Sequence, residues 1–216
     1  MNAEALSQSA EKKLYQIALW LGLFTIVYNL IEGIIATMFG FEDETLALFG
    51  FGLDSFIEMI SGMGIVYMIT RIQRNPHSER SEFEKTALHI TGYSFYALVA
   101  GLTISSVINI LTAHKPETTL WGVIISSISI VVMLGLIYGK IKVGKQLNSA
   151  AILADASCTK ICIYMSCILL ASSGIYEFTG FIYADSIGTL GLAWFSLQEG
   201  RECFEKARSN DPHCHC

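Results

Sequence analysis

Charge is what this chain has least of: only 15% of its 216 residues are Asp, Glu, Lys or Arg, well below the quarter or so usual in a soluble domain. The shortage excludes an ordinary soluble fold, in which one face of each helix must meet water and shows as an amphipathic stripe. Such striping is missing too. Met1 to Lys13 are polar and carry no cleavable signal pattern, so the first apolar run is expected to remain as a membrane helix. No polar connection is long enough for a folded soluble domain. The longest runs from Arg71 to Lys85, and the tail beyond Gln198 is under twenty residues. The formal charge of −5 says little about partners in such a chain, and no nucleic-acid partner is expected.

What the chain has instead is apolar length. Hydrophobic residues make up 52% of it, mean hydropathy is +0.49, and the apolar residues come in runs of about twenty, the length a helix needs to cross the hydrocarbon core. Six such spans are expected, roughly Leu14–Phe39, Leu46–Thr70, Ala87–Leu111, Leu120–Gly139, Ala150–Gly174 and Phe181–Leu197. The expected fold is all-α, an integral membrane bundle of six transmembrane helices. Residues 1–13 form an N-terminal segment, 14–198 the membrane domain and 199–216 a short tail.

Orientation follows from the basic residues. Lys12 and Lys13 precede span 1, and Arg71, Arg74, Arg80 and Lys85 fall in the 2–3 loop. Lys140, Lys142 and Lys145 are assigned to the 4–5 loop, and Arg201, Lys206 and Arg208 lie in the tail. Twelve of the fourteen basic residues thus lie on one side of a six-span bundle. The opposite loops carry Lys115 and the acidic run Glu42, Asp43, Glu44. Both termini are therefore expected in the cytoplasm, and the chain in the cell (inner) membrane.

Ionisable side chains inside a membrane span cost several kcal/mol each and mark ion, substrate or proton sites. Span 2 holds Asp54 and Glu58, four apart and so on one helix face. Two carboxylates so close repel unless a cation or a shared proton lies between them. An interhelical hydrogen-bonding pair is the plain alternative. In span 5, Asp155, Cys158 and Cys162 stand at i, i+3 and i+7 on one continuous face. Carboxylate and thiolate are ligands of zinc and of softer ions such as cadmium, although a buried cysteine is often only a small apolar filler. If span 5 packs on span 2, Asp54, Glu58, Cys158 and Cys162 supply four ligands for one tetrahedral site.

Other groups are secondary. Asn29 and Glu32 share a face of span 1; Glu32 reads as a support or proton acceptor, or equally as the salt-bridge partner of Lys160. Lys160 itself should point away from the two cysteines, about 200° around the helix. Asp185 opens span 6 and suits a helix N-cap as well as a transport role. His213, Cys214, His215 and Cys216 end the chain as four successive soft or borderline ligands, which fits transient metal capture or a terminus without function. His77 reads as loop surface before it reads as a ligand. Gly50, Gly52, Gly62 and Gly64 suit close helix approach and say nothing about substrate.

These residues together resemble the cation diffusion facilitator family of zinc and related-metal transporters. The resemblance is carried by Asn29-Leu30-Ile31-Glu32-Gly33, by Leu48 through Glu58, by Ala154-Asp155-Ala156 with the two cysteines, and by Ala184-Asp185-Ser186. It implies six spans with cytoplasmic termini and a transport site that uses two acids four apart in span 2, matched by Asp54 and Glu58. The usual His and Asp of span 5 are matched by Cys158 and Cys162, a softer pair that opens the site to cadmium, mercury or monovalent copper beside zinc. Most members carry a cytoplasmic ferredoxin-like domain, which this chain is expected to lack; a homodimer held by the membrane helices is what the resemblance implies.

The expected function is proton-coupled export of a zinc- or cadmium-type dication by alternating access, with metal ions, protons and the lipid bilayer as partners and no cofactor or enzymatic activity. A membrane thiol–disulfide oxidoreductase is a rival, though Cys-x-x-x-Cys inside a span is not its usual Cys-x-x-Cys. A metal sensor that binds without transport and a carrier of organic cations are the other two.

Overall fold

The computed structural model describes residues 2–42, 46–74, 80–112, 120–179 and 183–209. Long apolar runs with few turn residues make helices. Six are present among the described residues: α1 (Asn2–Glu42), α2 (Leu46–Arg74), α3 (Arg80–Thr112), α4 (Leu120–Leu147), α5 (Ala150–Thr179) and α6 (Ala184–Arg208). Five of them are long and apolar enough to cross a membrane, over Ala10–Phe39, Leu48–Arg74, Glu82–Leu111, Gly122–Leu147 and Ala150–Ile168. Helix α6 falls short by this measure among the described residues. Glu199, Arg201 and Glu202 enter its second half, leaving an apolar stretch below the roughly twenty residues of a full span.

Helix α1 packs on α2 and α4, α2 on α3, and α3 on α6, while α5 lies against α2, α3, α4 and α6. Burial follows this order: 50% of the α2 span and 61% of the α5 span is buried, against 33% or less for α1, α3 and α4. The middle of the bundle therefore belongs to α2 and α5. The outer faces are apolar, with Trp20, Leu111, Val131 and Phe178 turned outward, as a bilayer solvent allows and water does not. Several hydroxyls on these helices are satisfied locally: Thr25, Thr70 and Ser94 each donate to the backbone carbonyl four residues earlier.

The junction of α4 and α5 is tighter than the sequence reading had it. Residues 140–147 were assigned to a loop, yet α4 continues to Leu147 and only Asn148 and Ser149 separate the helices. Asn148 takes a left-handed φ of 49°, which Asn tolerates better than most residues. Its N–H donates to the Lys145 carbonyl and that of Ser149 to the Gly144 carbonyl, a Schellman ending. Ser149 then caps α5 by accepting from the Ile152 N–H, and its hydroxyl donates to Glu84 of α3 at 2.7 Å. The turn is thereby fastened to α3.

Glycines set the α1–α2 crossing. A Cβ on Gly52 would lie 3.0 Å from the Gly33 carbonyl oxygen and 2.7 Å from the Thr37 nitrogen, while Gly62 meets Thr25. Gly64 instead faces Ile90 of α3. Cys203, placed in the tail by sequence, lies in α6 as part of the buried core.

Two outcomes follow from this packing. Gly52→Val should lower unfolding stability in detergent by ~1–3 kcal/mol, whereas Gly101→Ala, with nothing within 4 Å of the added Cβ, should be neutral or stabilising; equal melting shifts for the two would contradict the crossing. Burial pushes the Cys203 thiol up to about 12. Since the thiolate is the nucleophile, Cys203 should resist iodoacetamide at pH 8 in the folded protein and react once it is unfolded in SDS, as read by mass spectrometry of the peptide.

Candidate metal centre

Helices α2 and α5 face each other with the stripes that periodicity predicts. On α2 the inward positions are Asp54, Ser55, Glu58 and Ser61; on α5 they are Asp155, Cys158, Thr159, Cys162 and Ser166, all buried. The groups pair in layers. The Cys162 thiol donates to Asp54 Oδ2 at 2.9 Å. One turn nearer the α4–α5 junction, the Thr159 hydroxyl donates a short hydrogen bond to Glu58 Oε1. Nearer still, Ser61 donates to Asp155 Oδ1 at 2.8 Å and lies 3.1 Å from the Thr91 hydroxyl of α3.

Running through the lower two layers is a group that the sequence reading had put in a loop. Lys140 of α4 is buried, with Nζ 2.8 Å from Asp155 Oδ2, 3.5 Å from Glu58 Oε1 and donating to Thr159 Oγ1 at 2.8 Å. Its signal was available as a stripe: Ser129, Met133, Leu136, Lys140, Val143 and Leu147 are buried at spacings of three and four. The assumed loop boundary cut that stripe at Gly139.

Lys160 behaves as its angle predicts, pointing away from the cysteines, with Nζ 5.1 Å from the centre of the Phe195 ring. The proposed Glu32–Lys160 salt bridge is not made. Glu32 accepts from the hydroxyls of Tyr28 at 2.9 Å and Ser55 at 3.0 Å, and so braces α1 against α2. Asn29 is buried beside it and donates to the Thr25 carbonyl. Asp185 is not the N-cap of α6: that position is Tyr183, with no side-chain capping bond, and Asp185 is the second helical residue. The side chain of Asp185 and residues His77, His213, Cys214, His215 and Cys216 lie outside the described residues.

Of the four expected ligands, the structure joins Asp54 to Cys162 directly and holds Glu58 one layer away on Thr159 and Lys140. Cys158 is buried within electrostatic reach of Asp54, Glu58, Asp155 and Lys140. Among the described residues, no three His, Cys, Asp or Glu side chains converge closely enough to hold a metal in this conformation. Several acceptor atoms in and beside the layers are nonetheless unfilled. Asn29 Oδ1, Asp54 Oδ1 and Glu58 Oε2 are buried and accept no hydrogen bond. Among the described residues five carboxyls are buried, Glu32, Asp54, Glu58 and Asp155 in the layers and Glu84 at the Ser149 cap, against one buried ammonium, Lys140. In a medium of low dielectric that excess must be met by protons or by a cation.

Asp54 also meets open space. A cavity of about 230 Å³ between α2, α3, α5 and α6 reaches its carboxylate past Leu53, Leu102, Ile108, Met165 and Thr189. It lies toward the start of α2 and the end of α3. The opposite end of the column is stoppered by Lys140, Asp155 and the Glu84–Ser149 cap.

A family model of the cation efflux transmembrane domain matches residues 19–210. The chain belongs to that family, the cation diffusion facilitators. A facilitator of this kind is a divalent cation transporter and not an enzyme. Cys158 and Cys162 are free, buried thiols.

The two lysines of this facilitator should differ in their weight on folding. Asp155→Ala strips Lys140 of its closest partner and should cost about 3–5 kcal/mol of unfolding stability, the scale of a broken buried pair. Lys160→Met removes a cation–π contact and should cost under about 1 kcal/mol. Denaturant melts in one detergent measure both, and equal losses would remove the central place given to Lys140.

Proposed function

We propose that this facilitator exports zinc- or cadmium-type dications in exchange for protons, by alternating access around Asp54, Glu58, Cys158 and Cys162. The single observation that carries the reading is the Cys162–Asp54 hydrogen bond on a column of buried carboxyls in the middle of a membrane bundle. In that bond the thiol holds a proton. A metal ligand must be deprotonated, so taking up the cation expels the proton and re-protonation expels the cation. Carboxylate oxygens with thiolate sulfur suit borderline and soft dications over magnesium or calcium.

The same reading makes α6 the sixth span and leaves both termini in the cytoplasm. Support comes from the apolar side chains Ile187, Leu190 and Trp194 that α6 turns outward, and from the basic residues gathered at one end of the bundle. With that orientation the cavity at Asp54 opens outward and the Lys140–Asp155 end closes toward the cytoplasm. The described conformation is then the releasing one, with the ligands relaxed away from a closed set. Pairing of two copies through the membrane helices belongs to the same reading and rests on the family pattern alone.

The test is zinc and cadmium flux in proteoliposomes with and without a pH gradient. Wild type should move either ion faster when a proton gradient opposes the metal gradient. Asp54→Ala should fall to the level of protein-free vesicles, and Cys158→Ser/Cys162→Ser should lose cadmium transport before zinc. Full flux by Asp54→Ala would remove this site, and cadmium binding without flux would favour a sensor.

A further inference from the structure

Lys140 is unused by the transport reading, yet it is the best-connected charge in the bundle. Its arms are unequal: Asp155 Oδ2 at 2.8 Å, Glu58 Oε1 at 3.5 Å, and between them Thr159 Oγ1, which accepts from Lys140 and donates to Glu58. Asp155 is held from its other side by Ser61 at 2.8 Å, so it is anchored; Glu58 keeps Oε2 free of any hydrogen bond. The ammonium can therefore lose Glu58 and stay closely paired, whereas losing Asp155 leaves it only the longer contact to Glu58 and the Thr159 hydroxyl.

We propose that Lys140 is a tethered counter-ion of the metal site, occupying Glu58 when no substrate is bound and lowering the negative charge that an entering dication meets. The inference rests on the transport site argued above. With Cys158 and Cys162 still protonated, ionised Asp54, Glu58 and Asp155 and the Lys140 ammonium sum to two negative charges; loss of the ammonium makes that three and loss of Asp155 makes it one. A dication entering at Asp54 competes with the ammonium for Glu58, and Lys140 falls back on Asp155. When the metal leaves, the ammonium returns to Glu58 and lowers the chance of recapture. Lys140 is a positioning and charge-setting residue in this account and never a ligand. Glu32 lies in the same network but is held by Tyr28 and Ser55 and contributes equally to every variant compared.

Charge removal then has opposite signs at the two partners. Lys140→Met leaves one negative charge in excess: cadmium should bind about tenfold or more tightly, the scale of a unit charge at this range, and transport should show a lowered KM with a lowered kcat. Asp155→Asn leaves the ammonium to Glu58 alone: binding should weaken about tenfold or more, with KM raised. Lys140→Met/Asp155→Asn restores the balance and should return the affinity to within about threefold of wild type. The experiment is cadmium titration of the full chain in detergent, followed by calorimetry and the thiolate-to-cadmium absorption band, beside flux in vesicles.

A merely structural Lys140 predicts the reverse pattern, with both single variants binding more weakly and the double weaker still; that result, or wild-type affinity in both singles, would overturn the proposal. If Lys140→Met is not monodisperse, Asp155→Asn and the double variant decide, since unchanged affinity in Asp155→Asn is equally fatal. Wild type that neither binds nor moves cadmium or zinc would sink the transport reading and this one with it. Wild type that transports through Asp54, with Lys140 variants unaltered, would sink this one alone.

Discussion

The ion pair between Lys140 and Asp155 sits where four helices meet, and most of what is unusual about the bundle can be traced to it. Lys140 comes from α4, Asp155 and Thr159 from α5, Glu58 and Ser61 from α2, and Thr91 of α3 closes the chain of hydroxyls behind Ser61. In hydrocarbon there is no water to solvate an ammonium left alone, so the helices that carry its partners are constrained to keep their relative rotation. The two-residue junction at Asn148 and Ser149 supports this by holding the ends of α4 and α5 together, a short distance from the pair.

This arrangement makes the two ends of the polar column unlike. Toward the junction, charge is neutralised and the packing is closed by Glu84 on the Ser149 cap. Toward the start of α2, Asp54 meets a cavity walled by apolar side chains and is bonded only to a thiol. On the proposed reading, an ion approaching from the cavity meets an incompletely satisfied carboxylate, then Glu58, whose Oε1 lies by an ammonium that has another partner to fall back on. Occupancy of the proposed site is then a competition among cations, fixed and mobile, for the same oxygens. The close α1–α2 crossing at Gly33 and Gly52 sets the face of α2 opposite the site firmly against α1.

Much of this was legible beforehand. The six helices, the inward faces of α2 and α5, the outward direction of Lys160 and the small-residue crossings all follow from periodicities of 3.6 applied to long apolar runs. Helix α6 was legible as a helix but not as a full span, because its polar second half shortens the apolar stretch. Lys140 was misplaced because a lysine beyond Gly139 marks a boundary in any reading that lets charge end a span. The buried stripe through Ser129, Met133 and Leu136 continued past it. The Glu32–Lys160 pair failed for a simpler reason: opposite charges on two spans were matched by sign, and the rotation of α5 turns Lys160 toward Phe195.

What the sequence by itself determined is therefore local and periodic: helix number, membrane character, which residues share a face, and the set of acids and thiols available to a cation. Only the tertiary structure decided who meets whom. Pairing in a membrane interior requires atoms near 3 Å, and whether Glu58 finds a cysteine, a threonine or a lysine depends on helix rotation, crossing angle and the length of a single junction. Those are properties of packed surfaces, summed over the whole bundle, and no stretch of one helix encodes them.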